Sequence, residues 1–392
     1  MPTPDYIADL LGLEDIIIKN IVSNDTENHV YFTLKRRPHT CPSCSFVTEQ
    51  VHDYRTSVLK DLPFMGKKTL FHYSKRRYHC PACGKHFYET FSAVPKHCRI
   101  TTRAVFHAID LLRNRLSVSD SASMIGISAS SVFRRMKEVR FPKPKKLPLV
   151  LSIDEFKGNA GNQKFQAILT DAKNRKLVDI LPDRSQKTLT EYFQGIQNRN
   201  DVRYFVMDMN QVYRDLARTY LPNATIVIDR FHVVRYVTWA LENVRKRIQK
   251  DMQKDKRRYF KRSRWLLLTS RKKLGEEQID ALELMLRQSQ DLATAYHLKE
   301  VFYEFMGSKD RETATKQLRR FINLTQNSQL KEFNACLTML GNWSKYILNA
   351  FDCPYSNGYT EGTNNAIKVI KRNAFGYRNF DNFRNRIFLA LT

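Results

Sequence analysis

Three acidic residues stand where a fold can bring them together. Asp154 ends the apolar run Leu149-Val150-Leu151-Ser152-Ile153, Asp208 ends Tyr204-Phe205-Val206-Met207, and Glu361 opens the stretch Glu361-Gly362-Thr363-Asn364-Asn365-Ala366-Ile367-Lys368. Short apolar runs of this kind read as buried strands, and carboxylates at strand ends can converge beyond a sheet. Their oxygens are hard ligands suited to Mg²⁺ or Mn²⁺, and a pair of such ions supports in-line displacement at phosphorus. The chemistry open to this set is metal-dependent cutting of a phosphodiester.

The composition points to the same substrate class. The chain has 66 Lys and Arg against 39 Asp and Glu, a formal charge of +27 and a pI near 9.8, so it should seek polyanions. Its 392 residues leave room for two to four domains, and a 42% hydrophobic content can fill real cores. No apolar run approaches the roughly 20 residues of a membrane span. Residues 1–12 carry neither the basic flank nor the apolar core of a signal peptide. The expectation is a protein of the cytosol, or on the nucleoid, and not of a membrane.

The elements that must position the acids begin at Leu149. Residues 149–153 form one strand; Phe165, Ala167 and Leu169 alternate as a second; residues 177–181 suggest a third. A helix over 188–195, a strand over 204–207, a helix over 213–220 and a strand over 225–228 follow. The order βββαβαβ is that of an RNase H-like α/β fold, in which the first and fourth strands are neighbours. Asp154 and Asp208 would then end side by side. Asp229 also follows a strand and competes with Asp208 on chemistry alone, but the strand order favours Asp208. Asp229 and His232 can hydrogen-bond behind it, or form a surface pair at a strand end. Alternation turns Glu155 away from Asp154, and Asp171 is a further acid nearby.

Residues 233–343 read as a long helical insertion. Between 245 and 273 there are 14 Lys and Arg against two Asp, a density suited to phosphates. Arg257, Arg258, Lys261 and Arg262 are the candidates there. Tyr259, Phe260 and Trp265 lie among them, able to stack on an unpaired base or to pack in a core. After Glu361, Lys368 and Arg372 share its helical face and can grip a strand beside it, while Asn364 and Asn365 can orient the carboxylate or touch a sugar. A last helix over 382–391 presents Phe383, Ile387 and Leu391, expected to pack on the sheet.

Four of the seven cysteines form two close pairs, Cys41-Pro42-Ser43-Cys44 and Cys80-Pro81-Ala82-Cys83. In a reducing compartment that pattern favours a tetrahedral Zn²⁺ holding together a segment with little core of its own. The separation between the pairs exceeds the usual zinc spacing, so the stretch between must carry strands, for which residues 58–62 and 68–73 are suited. Cys98, Cys336 and Cys353 read as buried or surface thiols, and His97 with Cys98 is a weaker rival ligand pair. Residues 103–115 and 119–125 then have helical spacing, and Gly126-Ile127-Ser128 interrupts them. Ser128 can cap a third helix in which Val132 and Met136 face inward and Ser130, Arg134 and Lys137 share the other face. Such a helix-turn-helix fits a major groove, although an ordinary helical hairpin with a solvated basic face has the same pattern. Phe141-Pro142-Lys143-Pro144-Lys145-Lys146-Leu147-Pro148 reads as a stiff basic linker.

Together these pieces resemble the ISL3 family of bacterial insertion-sequence transposases. The resemblance rests on the cysteine pairs, the helix-turn-helix, Ser152-Ile153-Asp154-Glu155-Phe156, Met207-Asp208-Met209, Asp229-Arg230-Phe231-His232 and Thr360-Glu361-Gly362-Thr363-Asn364-Asn365, and covers essentially the whole chain. It implies a catalytic Asp154, Asp208, Glu361 triad with Mg²⁺ or Mn²⁺, structural Zn²⁺ on Cys41, Cys44, Cys80 and Cys83, and double-stranded DNA as partner, both terminal inverted repeats and target. The Asp-x-x-His element is similar to one that lies near the active site in several transposase families without joining the triad. Bringing two ends together implies at least a homodimer in the active complex.

The expected architecture is multidomain α+β. It has a zinc-binding module (1–98), a helix-turn-helix with linker (99–146), and an RNase H-like domain (147–232 and 344–392) interrupted by an all-α insertion (233–343). Two other functions fit parts of the chain. A DNA-binding regulator would use only residues 41–146 and leave the acids without purpose; a structure-selective nuclease of the same fold would cut without joining.

Overall fold

The computed structural model describes residues 13, 15–95 and 97–392, which fall into two compact units: one up to Pro142 together with 367–392, the other 143–366. The signal-peptide reading of residues 1–12 lies outside the described residues. Among those described, no helix is long and apolar enough to cross a membrane.

In the first unit, strands β1 (Ile16–Ser23), β2 (Glu27–Leu34), β5 (Val51–Phe64), β6 (Lys67–His79) and β7 (His86–Tyr88) make one sheet, ordered β1-β2-β6-β5 with β7 also on β6. Short strands β3 (His39–Thr40) and β4 (Val47–Thr48) pair separately. The long β5–β6 hairpin turns on Met65 and Gly66, with φ of 53° and 76°, the two positive angles that a tight hairpin matching strand twist requires. In β6 alternation buries Thr69, Phe71 and Tyr73. Phe32 stacks on Tyr73 with ring centres 5.2 Å apart and meets Phe71 edge-on at 5.6 Å. Leu13, Val30, Leu59 and Phe91 complete the cluster. The expectation that this segment has little core of its own is therefore corrected: the strands between the cysteine pairs build one.

Helices α1 (Thr102–Arg113), α2 (Val118–Ile125) and α3 (Ala129–Met136) follow. Thr101, Ser117 and Ser128 cap them, each side chain accepting from the backbone N–H three residues on, and Gly126 ends α2 at φ 74°. Their shared core includes Ala108, Leu112, Ile125, Val132 and Met136. The last helix (Phe380–Leu391) was expected on the catalytic sheet, but it packs here: Leu389 joins this core, Arg384 donates to Phe141 O (2.8 Å), and buried Arg386 donates to Leu116 O (2.9 Å). Its apolar spacing was legible; its partner was not.

The second unit holds β8 (Val150–Phe156), β9 (Gln166–Asp171), β10 (Lys176–Leu181), β11 (Tyr204–Met207) and β12 (Thr225–Ile228), ordered β10-β9-β8-β11-β12. The first three strands run antiparallel as a meander; β11 is parallel to both β8 and β12. Parallel neighbours need crossovers, supplied by α4 (Gln186–Gln194) and α5 (Gln211–Tyr220). Leu151, Ile153, Phe205, Met207 and Ile228 face a large core, while Val150, Val206 and Val227 face a smaller cluster with Ala350 and Cys353. The region between the sheet and Glu361 is helical: α6 (Arg230–Lys250), α7 (Lys254–Arg262), α8 (Arg264–Leu268), α9 (Glu276–Leu286), α10 (Gln290–Met306), α11 (Arg311–Asn327) and α12 (Asn334–Leu348). Its apolar faces share the large core of the sheet, through residues such as Val233, Val237, Phe302 and Phe321. Helix α13 (Gly358–Asn373) carries Glu361.

Candidate active site and zinc centre

Strand register sets the first two acids. Val150, Leu151 and Ser152 of β8 lie opposite Tyr204, Phe205 and Val206 of β11. Continued by two residues, that pairing puts Asp154 opposite Asp208. Asp154 is buried and Asp208 half-buried. Burial and then the facing Asp208 carboxylate push the Asp154 carboxyl up to about 7, against the N–H of Glu155 and the charge of His232. Two repelling, poorly hydrated carboxylates are what a divalent cation relieves.

Asp229 directly follows β12 and stands at the N-cap of α6, yet its side chain caps no N–H. It faces His232 instead, whose Nδ1 is 3.6 Å from Asp229 Oδ2 and 2.9 Å from Asp208 Oδ1. Burial opposes the imidazolium, but the two carboxylates outweigh it and raise the His232 pKa to about 10. All three atoms are buried without an aligned hydrogen bond, so charge holds them together. Asp208, Asp229 and His232 offer ligand atoms within 4.8 Å of one another; Asp154 and Glu361 are not part of that group. Such buried, orphaned oxygens fit a cation.

The helix that carries the third acid is tied to the strand of the first. Glu361 lies half-buried in the first turn of α13, and Asn364, one turn on, donates Nδ2 to Asp154 Oδ2 at 2.7 Å. The even-numbered face of β8 carries Ser152 as well as Asp154. Ser152 hydrogen-bonds Asn357 and accepts from Thr360 Oγ1 (3.2 Å), which also meets Thr170 Oγ1 (2.7 Å). All four of these side chains are fully buried. Sequence reading gave Ser152 and Thr360 no role beyond membership of their motifs, and missed Thr170 and Asn357. The available signal was a serine inside an otherwise apolar strand and a threonine directly before Glu361. Glu155 points away, paired with Arg184 and near Tyr213 Oη (3.3 Å), and Asp171 closes its own turn through the N–H groups of Lys173 and Asn174.

The zinc ligand set is preassembled. Cys41 and Cys83 sulfurs lie 3.6 Å apart and those of Cys44 and Cys80 3.5 Å apart, and all four fall within 4.8 Å. A disulfide would need about 2.05 Å; a tetrahedron with Zn–S near 2.3 Å has edges of about 3.8 Å. Each pair sits on the same turn: Ser45 N donates to Cys41 O (3.0 Å) and Gly84 N to Cys80 O (2.8 Å), with Ser45 and Gly84 at φ 61° and 71°. Backbone N–H groups of Ser43 and Cys44, working against burial, lower the Cys41 thiol to about 6. Cys98 contacts Arg135 at 2.7 Å, outside the ligand cluster, and Cys336 and Cys353 are buried.

Among the candidate phosphate contacts, Ser130 and Arg134 are exposed on α3 and Lys137 at its C-cap, Arg257, Arg258, Lys261 and Arg262 on α7, and Lys368 and Arg372 on α13. The basic run is less uniform than its count suggests. Arg245 is buried against Glu242 and Gln249, and Arg247 pairs with Glu332 and Asp291. Phe260 is core, whereas Tyr259 and Trp265 are exposed.

Comparison with known proteins agrees with this layout. A family model described as a transposase, of the ISL3 type, matches residues 151–387, and one for the zinc-finger of transposases IS204, IS1001, IS1096 and IS1165 matches residues 37–83. The chain belongs to the ISL3 family of transposases. It is 28% identical over 373 residues to the transposase for insertion sequence element IS1001 of Bordetella parapertussis, covering 92% of this chain and 91% of that one. It is 24% identical over 242 residues to the transposase for IS1557 of Mycobacterium tuberculosis, 55% and 54% of the two chains. A shorter likeness, 34% over 115 residues, is to a Lactococcus lactis protein named an ATP-dependent protease, 29% of this chain and 34% of that protein. The zinc-finger match and the clustered sulfurs together support structural Zn²⁺.

Proposed function

We propose that the chain binds the terminal inverted repeats of an insertion sequence and cuts and joins DNA strands with Asp154, Asp208 and Glu361 as the triad. The observation that carries this reading is the shared register of Asp154 and Asp208, with the Glu361 helix hydrogen-bonded to Asp154 through Asn364. The β10-β9-β8-β11-β12 order, with β8 central, supports an RNase H-like sheet. The three acids would hold Mg²⁺ or Mn²⁺, which supplies Lewis-acid activation of water and of the phosphodiester. Asn364 fixes the Asp154 carboxylate, and the buried Ser152, Asn357, Thr170 and Thr360 bonds anchor the turn carrying Glu361. Asp229 and His232 orient Asp208. A 3′-hydroxyl released by hydrolysis, held in line, then attacks target DNA with no covalent enzyme intermediate.

In this reading α2 and α3 form a helix-turn-helix that presents Ser130, Arg134 and Lys137 to a major groove, the zinc ribbon adds to end binding, and the α7 cations with Lys368 and Arg372 follow phosphates. The active complex contains at least two copies and works in the bacterial cytoplasm. The functional regions would then be 1–98, 99–146, 147–232 with 344–366, and 233–343, while residues 367–392, expected in the catalytic domain, group with the first unit. Incubating the protein with end-bearing DNA and Mg²⁺ or Mn²⁺, then mapping nicks and joined products, tests it. Cutting without joining would favour a nuclease, and binding without cutting a regulator.

A further inference from the structure

The turn that ends α13 places an aromatic ring in full exposure, where no described residue covers it. Phe375 N donates to Arg372 O (3.1 Å) and Gly376 N to Lys371 O (3.0 Å), the six-to-one bond of a Schellman cap. Phe375 occupies the left-handed position of that cap, at φ 53°. Glycine adopts this conformation without steric cost, whereas a bulky L-residue there is an outlier. Packing can compensate such strain, but Phe375 is 99% exposed, the highest value among the described large hydrophobic residues. The turn itself is anchored. Asn373 Nδ2 donates to Arg115 O at 3.0 Å, and buried Tyr377 stacks on Phe383 with ring centres 4.7 Å apart.

A strained backbone under a fully exposed ring points to a role for that ring outside the chain. Exposed Arg372 and Arg378 flank it in sequence, a charge pattern that complements a polyanion. Apolar side chains beside phosphate-holding cations enter between base pairs and unstack them. We propose that Phe375 is a wedge that opens a base step of duplex DNA held by Arg372 and Arg378. This rests on the chain binding DNA, and is independent of which acids form the triad.

The test uses the full chain, without divalent metal, and duplexes of the element's terminal inverted repeat with 2-aminopurine at successive positions. The wild type should raise fluorescence several-fold at one step. Phe375→Gly should abolish that rise and weaken binding on the order of tenfold, while thermal stability holds or increases because the backbone strain is relieved; Phe375→Trp should keep the rise. Binding without a rise in the wild type, or an undiminished rise with Phe375→Gly, overturns the wedge and leaves DNA binding intact. A fall in melting temperature, or a changed oligomeric state, for Phe375→Gly would assign the ring to packing or to a second copy instead. Failure of the wild type to bind any duplex would overturn the DNA reading itself.

Discussion

Asn364 Nδ2 donates to Asp154 Oδ2 at 2.7 Å, although 210 positions separate the two residues. The bond ties the helix of the third acid to the strand of the first, so disturbing it should act on chemistry and not on affinity. Asn364→Ala should slow cleavage on the order of 10- to 100-fold while Kd for DNA is unchanged. Parallel loss of binding and cleavage would count against a positioning role.

Ligand charge governs the next expectation. Asp154→Ala, Asp208→Ala and Glu361→Ala should each bring cleavage and joining near background with DNA binding retained, because each would remove an anionic oxygen from the proposed cation site. Asp229→Ala should lose activity only in part. If Asp229→Ala is dead while Asp208→Ala cuts well, the second ligand has been misassigned.

Zinc content checks the sulfur geometry. The purified protein should hold about one equivalent, and Cys80→Ser should lose it along with specific end binding. Full zinc in the variant would refute the four-cysteine site.

The pH dependence follows from Asp154. An acid raised to about 7 in the folded state binds more protons folded than unfolded between about pH 4 and 7, so stability falls as pH rises through that window. His232 adds stability below about pH 6.5 that is lost as pH climbs toward 10. Metal-free protein should therefore melt at lower temperature near pH 7 than near pH 5, and Asp154→Asn should flatten the slope. Identical slopes in both proteins would contradict the burial and repulsion at that carboxyl.

DNA binding should divide by surface. Arg134→Ala should weaken end recognition more than random-DNA binding, by about 1–3 kcal/mol. Neutralising Arg257, Arg258, Lys261 and Arg262 together should weaken both and flatten the salt dependence. Equal loss on both DNAs for Arg134→Ala would argue against a groove-reading helix.

What the sequence determined by itself was local. Apolar runs bounded by turns gave strands at 204–207 and 225–228 with the observed ends, because a short buried strand needs an unbroken apolar segment. Repeated Cys-Pro-x-Cys turns specified a zinc pair of knuckles, since the turn alone aims two sulfurs. The Ser128 cap and the Val132 and Met136 stripe were equally visible. Tertiary structure decided what depends on contacts distant along the chain. Ser152 and Thr360 look like ordinary small polar residues until the sheet and α13 exclude water around them, when each must find a partner. The last helix advertised an apolar face but not its mate, as any complementary core satisfies that pattern. Arg245 counted as one more surface cation until folding buried it with Glu242, because a charge total carries no information about which side chains face solvent.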